Sequence, residues 1–184
     1  MDIRQYCLSV WTIVDPLYFQ FTRLKYIEKN GNKTIVRVRL TRYKGKRITL
    51  SDGTIINKDD MLLKIHLHNV NLLRKMQGCS DIRKALIIYK SVKESLPSIS
   101  SYLQSNEYAH KIKGLIGITM LYKGCHKLGF ESFSIPNPYY KTFKQTALLP
   151  IYLLSSNQAL SKEKPDPMYL FMSKDRLFNL YEKV

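Results

Sequence analysis

The chain has 184 residues, 45% of them hydrophobic, enough for one sizeable core and short for two, so a single domain over residues 1–184 is expected. Its 30 Lys and Arg against 14 Asp and Glu give a formal charge of +16, which concentrates anions at the surface and makes the expected partner negative without identifying it. Three cysteines, Cys7, Cys79 and Cys125, with no C-x-x-C pair argue against a disulfide framework and for a reducing cytoplasm, and the longest apolar runs, residues 114–122 and 147–154, fall far below the ~20 residues of a membrane-spanning helix.

The opening residues lack the basic start, long apolar run and small-residue cleavage site of a secretory signal, so any membrane role is expected to be peripheral, at the inner face. Apolar side chains recur at Ile3, Tyr6, Cys7, Val10, Trp11, Val14, Leu17, Tyr18 and Phe21, the spacing of one helical face, and predict an amphipathic helix over residues 3–27, whole or broken at Asp15-Pro16. A core-facing helix is the first reading; an aromatic helix lying on a membrane, with Trp11, Tyr18, Phe19, Phe21 and Tyr26, is the alternative.

After the turn at Asn30-Gly31-Asn32, residues 34–43 alternate Val36, Val38 and Leu40 against Arg37, Arg39 and Thr41, a half-buried strand with a basic outer face. Turn signals at Lys44-Gly45-Lys46 and Ser51-Asp52-Gly53 bracket a short strand at residues 47–50, and residues 61–68 read as a more buried strand. Residues 34–68 thus form a β-meander.

Asn69 is a plausible N-cap for a short helix ending near Gly78, and Asp81 caps a longer one over residues 82–96, closed by Pro97, with a further turn at residues 98–104. Residues 114–121 are β-rich, with two glycines that suggest close backbone approach. A helix at 122–128 ended by Gly129, a strand at 130–135, a helix at 140–154 with Pro150 as kink or stop, a linker at 161–167, a strand at 168–172 and a helix begun by Ser173 complete the chain. The expected fold class is α+β, one domain, an antiparallel β-meander with helices packed around it.

His66 and His68 lie two apart on an expected strand and share a face, so they suit acid–base work near neutral pH or metal ligation. No further ligands stand at zinc spacing and no H-E-x-x-H helix is present, so no metal and no cofactor are expected. Cys125 and His126 are about 100° apart on a helix and do not form a nucleophile pair, which leaves Cys125 with His66 through the fold. Asp52 and Asp60 are turn chemistry first and carboxylate candidates second. Residues 75–80, KMQGCS, read as following a strand and opening a helix, distantly resemble the pyrophosphate-holding loop of acetyl-CoA-dependent N-acetyltransferases, which implies acyl transfer as one enzyme reading. Arg37, Arg39, Arg42 and Arg47 are the candidate anion-binding residues, and with Tyr43 among them a nucleic-acid backbone is an alternative ligand, although no RNA-recognition motif, helix-turn-helix or zinc finger accompanies them.

The stretches WTIVDPLYFQFTRL, ITLSDGTIINKDDMLLKIHLHN and KGLIGITMLYKGCHKLGF together resemble the YkoP-like family of Bacillus-type bacteria, from about residue 8 to the end. Similar domains occur alone or behind polysaccharide deacetylase domains, which implies an association with cell-envelope glycan or lipid-linked sugar metabolism. Asp52, Gly53, Thr54, Asp60, His66, Asn69, Gly117, Thr119, Gly124 and Gly129 match its recurring pattern. Asp59, Lys64 and His68 depart from it, standing where relatives tend to have Gly, Glu and Asp, and leave His66, Asn69 and Thr119 as the ligand-binding candidates. The leading expectation is a basic domain that binds an anionic membrane surface or an envelope glycan or lipid-linked precursor. The enzyme alternative, acyl transfer or hydrolysis, uses a His66 pocket with His66 as general base and Asp52 or Asp60 orienting it; nucleic-acid binding is the third reading, and the oligomeric state is left open.

Overall fold

The computed structural model describes residues 9, 22–67, 69–155 and 164–182. Most of the helix predicted over residues 3–27 therefore lies outside the described residues, as does His68. The end of that prediction is corrected: Lys25–Lys29 is a strand, β1. Asn30 and Gly31 both adopt positive φ, 51° and 75°, the turn that joins two antiparallel strands, so a strand must precede it as well as follow it.

β2 (Asn32–Arg42) pairs antiparallel with β1 on one side and with β5 (Met61–Leu67) on the other. The meander expected between them is modified. β3 (Ile48–Thr49) and β4 (Ile55–Ile56) form a separate two-stranded hairpin that leaves the main sheet. Asp52 and Ser51 pin this excursion to distant elements: the Asp52 carboxylate accepts from the Thr54 amide at 2.9 Å and from the Ser173 hydroxyl, and the Ser51 amide and hydroxyl donate to Glu131.

Two helices then carry the chain across one face of the sheet. α1 (Asn69–Lys75) starts directly after β5, with Asn69 as its first residue. α2 (Asp81–Gln104) is capped by Ser80, one residue earlier than expected, whose hydroxyl accepts from the Arg83 amide. Pro97, predicted to close a helix at residue 96, sits inside α2. An interior proline costs roughly 3 kcal/mol, but Leu96, Ile99 and Leu103 are all fully buried against the sheet, and burial at roughly 1.5–3 kcal/mol each outweighs it. β6 (Ile112–Thr119) enters parallel to β5, as a crossover of this length allows.

The predicted helix at residues 122–128 is a single 3-10 turn, Cys125–Leu128, with Gly124 and Gly129 at positive φ on either side. β7 (Glu131–Ser134), α3 (Pro138–Ser155), β8 (Met168–Ser173) and α4 (Lys174–Tyr181) follow. Asn137 caps α3 by accepting the Tyr140 amide at 2.9 Å, Pro138 occupies its first turn, and the helix continues through Pro150. Ser173 caps α4 by accepting the Arg176 amide, as expected.

The order β1-β2-β5-β6-β8-β7 makes one mainly antiparallel six-stranded sheet in an α+β domain. On one face Val36, Val38, Leu63, Leu115, Leu170 and Met172 meet α1, α2 and α4 through Leu72, Leu96, Ile99, Leu103 and Leu177. The other face carries a second, smaller core of Tyr43, Leu50, Ile56, Leu62, Ile116, Tyr169 and Phe171, in which Tyr43 and Phe171 stack edge to face at 5.4 Å. Of the two glycines in β6, Gly114 alone has the close approach expected: a Cβ there would collide with the Met172 carbonyl oxygen, whereas one at Gly117 would meet Leu170 at an ordinary 3.7 Å.

Candidate functional site

Strand register decides which of the basic and titratable side chains meet. In the β2–β5 ladder Arg37 stands opposite His66 and Arg39 opposite Lys64, and directly opposed residues share a face with Cβ atoms roughly 5 Å apart. Tyr26 of β1 stands opposite Arg37, and Ile116 of β6 opposite Lys64. Two neighbouring rows result, Tyr26-Arg37-His66 and Arg39-Lys64-Ile116, on the face away from α2. Lys144 reaches the same cluster from α3.

The basic side of β2, expected to be an outer surface, is not one at this point. Arg37 is 2% exposed, and Arg39, Lys64 and His66 are half-buried. Arg37 donates to the Tyr26 hydroxyl at 2.8 Å while its guanidinium lies 4.8 Å from the centre of that ring. Arg39 has no ion-pair partner among the described residues, and its Nε is buried without a hydrogen-bond acceptor among them.

The electrostatics follow from crowding like charges in a poorly solvated place. Burial first, and then the charges of Lys64, Arg39, Lys144 and Arg37, push the His66 imidazole down to about 3. Burial, then Lys144 and Arg39, bring the Lys64 ammonium down to about 8. Lys144 is lowered by burial and by Arg39. The charges acting on Lys64 and Lys144 from the described residues are all positive. Such a cluster can hold a compact anion through bidentate guanidinium contacts and a lysine, with neutral His66 as donor or acceptor. A base with a pKa of about 3 is a weak proton acceptor near neutral pH, so the arrangement suits binding better than general-base chemistry by His66.

The other sequence candidates lie elsewhere. Asp60 accepts the Asn57 amide at 2.7 Å and faces Lys113 at 3.7 Å; it is six strand residues from His66, roughly 20 Å. Burial raises the Asp52 carboxyl, but hydrogen bonds from Ser173 and Thr54 and the charge of Arg176 outweigh it and hold it below the usual carboxylate range. Its partners are those of the hairpin staple, so neither carboxylate is placed to orient His66. Thr119 accepts the Leu121 amide at 2.9 Å, and strand alternation from the Lys64–Ile116 pair puts it on the opposite sheet face from His66. Asn69 begins α1, two residues beyond the end of β5. Arg42 ends β2 on the alternate face from Arg37 and Arg39, and Arg47 is exposed in the following loop.

Cys125 packs against the helix-covered core and burial pushes its thiol up to about 11, so it is on the wrong side of the sheet to pair with His66. Residues 76–80 link α1 to α2 and do not open from a strand end, which removes the geometric basis of the acetyltransferase-loop likeness. Among the described residues no three His, Cys, Asp or Glu side chains gather to hold a metal ion, and no helix is long and apolar enough to cross a membrane.

Sequence reasoning missed Lys64, Lys144 and Tyr26 as members of the cluster. Lys64 was within reach, because it shares the strand period of His66 and antiparallel pairing sets such residues against the alternating arginines of β2. Lys144 was not, because nothing local places α3 over that face.

An α+β domain with a helix-backed sheet and a cationic side-chain cluster on the opposite face is the class that fold and site define. The chain belongs to the YkoP domain family, whose model matches residues 4–181. It is 47% identical over 177 residues, covering 96% of each chain, to the uncharacterized protein YkoP of Bacillus subtilis (strain 168). No solved structure matches it.

Proposed function

We propose that this domain binds a phosphoryl or pyrophosphoryl group between β2, β5 and α3, as a binding module without a catalytic step of its own. The observation that carries the reading is the convergence of Arg39, Lys64 and Lys144 beside His66, where the charges acting on Lys64 and Lys144 from the described residues are all positive. Like charges directly opposed across strands are destabilising, and departures from folding logic of this kind are expected at functional sites. A half-buried site favours a compact anion over a long nucleic-acid track, which needs a continuous exposed groove. The phosphate of a lipid headgroup or of a lipid-linked sugar precursor fits the same chemistry as a soluble phosphate ester, and the exposed Tyr139 and Phe143 one turn apart on α3 suit a site used at a membrane interface.

The test is thermal unfolding with inorganic pyrophosphate in a buffer free of sulfate and phosphate, run beside flotation on anionic and neutral vesicles with a competing oligonucleotide. Stability rises by about 2.7 kcal/mol at a hundredfold excess over Kd, and Arg39→Ala is expected to remove the rise. No shift at millimolar pyrophosphate together with no flotation at low salt would exclude the reading. Displacement from vesicles by oligonucleotide, with a steep salt dependence, would favour nucleic acid instead.

A further inference from the structure

Buried lysines usually have a carboxylate. Lys84 is 4% exposed and its ammonium lies 3.8 Å from Asp81. Lys64 is the contrasting case: half-buried, it has no ion-pair partner among the described residues, Arg39 stands directly across the strand, His66 is two residues along on the same face, and Lys144 comes over from α3. Among the described residues of the sheet, Arg37 of β2, Tyr26 of β1 and Ile116 of β6 share its face. An amine desolvated beside other cations loses its proton at lower pH and becomes a nucleophile.

We infer that Lys64 is a nucleophilic amine that captures a phosphorylated aldehyde or ketone as a reversible imine, with Arg39 and Lys144 holding the phosphate; this rests on the anion-binding reading of the same site. The neutral amine attacks the carbonyl carbon, a C–N bond forms, and the carbonyl π pair moves to oxygen, which takes a proton from the nitrogen. The carbinolamine then loses its hydroxyl and the second N–H proton as water, leaving C=N. No oxidant or reductant is required. His66 stays neutral throughout and adds no further positive charge beside the amine.

With the Lys64 ammonium brought down to about 8, roughly a fifth of it is neutral at pH 7.4, against about one part in a thousand for an ordinary lysine. Pyridoxal 5′-phosphate is the probe. The whole chain is incubated with a sub-stoichiometric amount at pH 7.4, trapped with borohydride, and the adducts are mapped by mass spectrometry. We expect Lys64 to be labelled at least ~10-fold faster than the exposed Lys58 and Lys123, since lost basicity offsets part of the gain in free amine. Pyridoxal without its phosphate is expected to label it far more slowly, excess pyrophosphate to protect it, and Lys64→Arg to leave the remaining lysines labelled as before. Labelling spread over surface lysines, with Lys64 no faster, would overturn the inference while leaving a pyrophosphate-induced thermal shift, and hence anion binding, standing. Rapid Lys64 labelling by both aldehydes with no pyrophosphate protection would overturn the phosphate-directed capture and the anion-binding reading together.

Discussion

On β5, Leu62 is fully buried among Tyr43, Ile56 and Phe171, whereas Lys64 and His66, two and four residues further along the same face, lie among Arg37, Arg39 and Lys144. One strand thus contributes to two opposite environments. The apolar half is closed by the β3–β4 excursion and by edge-to-face aromatic pairs, Tyr43 with Phe171 and Phe133 with Phe171, at 5.4 and 5.8 Å. The cationic half is reached from α3 by Lys144, and there burial first, and then the neighbouring positive charges, hold His66 and Lys64 below their ordinary protonation ranges. Burial stabilises the first half and costs stability in the second. The two halves therefore respond in opposite directions to the same kind of substitution.

The largest effect is expected at Phe171→Ala, which empties a fully buried ring position in the apolar half and is expected to cost about 3–5 kcal/mol in urea unfolding. A loss below ~1 kcal/mol would show that this half is not a packed core.

A pH titration sharpens the contrast next. The folded pKa of His66, about 3, lies below its unfolded value near 6.5. As pH falls through 6.5 the unfolded chain takes up a proton that the folded chain refuses until about pH 3, so the contribution of His66 is fully present above 6.5 and is lost on acidification through that window. Between pH 7 and pH 4 this amounts to on the order of 3 kcal/mol. Denaturant midpoints across that range should fall less steeply in His66→Gln than in the parent, and identical slopes would refute it.

Substituting Lys64 by Met should do what few core changes do and raise stability at pH 7, by on the order of 2 kcal/mol, because an ammonium held in unfavourable surroundings is replaced by an apolar chain of similar length. The gain should shrink above pH 8, where Lys64 of the parent is already neutral when folded. Destabilisation at pH 7 would mean that Lys64 has a stabilising partner.

Arg39→Ala is expected to change the melting temperature in plain buffer by a few degrees at most, and its main effect is loss of the pyrophosphate-induced rise. Smallest of all, Lys44→Ala removes an ion pair with Asp59 at the exposed end of β2, and its melting curve should superimpose on the parent's, since exposed pairs contribute little.

Much of the fold is legible in the residues themselves. The Val36-Val38-Leu40 alternation, the Asn30-Gly31 turn, the Ser173 cap and the β-rich run through Gly114 all appear where the local pattern puts them. Failures occur where a distant contact outweighs a local preference. Pro97 stays inside α2 because Leu96, Ile99 and Leu103 find the sheet, and residues 25–27 are strand because β2 offers them a partner. At the site, Arg37, Arg39 and His66 are visible as candidates from residue type and strand period, but Asp52, Asp60 and Thr119 look equally eligible until their hydrogen bonds and sheet face are seen.

Sequence alone determined the α+β class, the strong positive charge, the alternating arginines of β2 and the candidacy of His66 on its strand, because turn chemistry, side-chain period and net charge are properties of neighbouring residues. Only the tertiary structure decided that the two strands pair in the register Arg37–His66 and Arg39–Lys64, and that α3 adds Lys144 to them. It likewise decided that the candidate carboxylates serve the hairpin and its turn. A one-residue slip in that pairing would send these side chains to opposite faces, and the burial that selects the register is summed over the whole sheet.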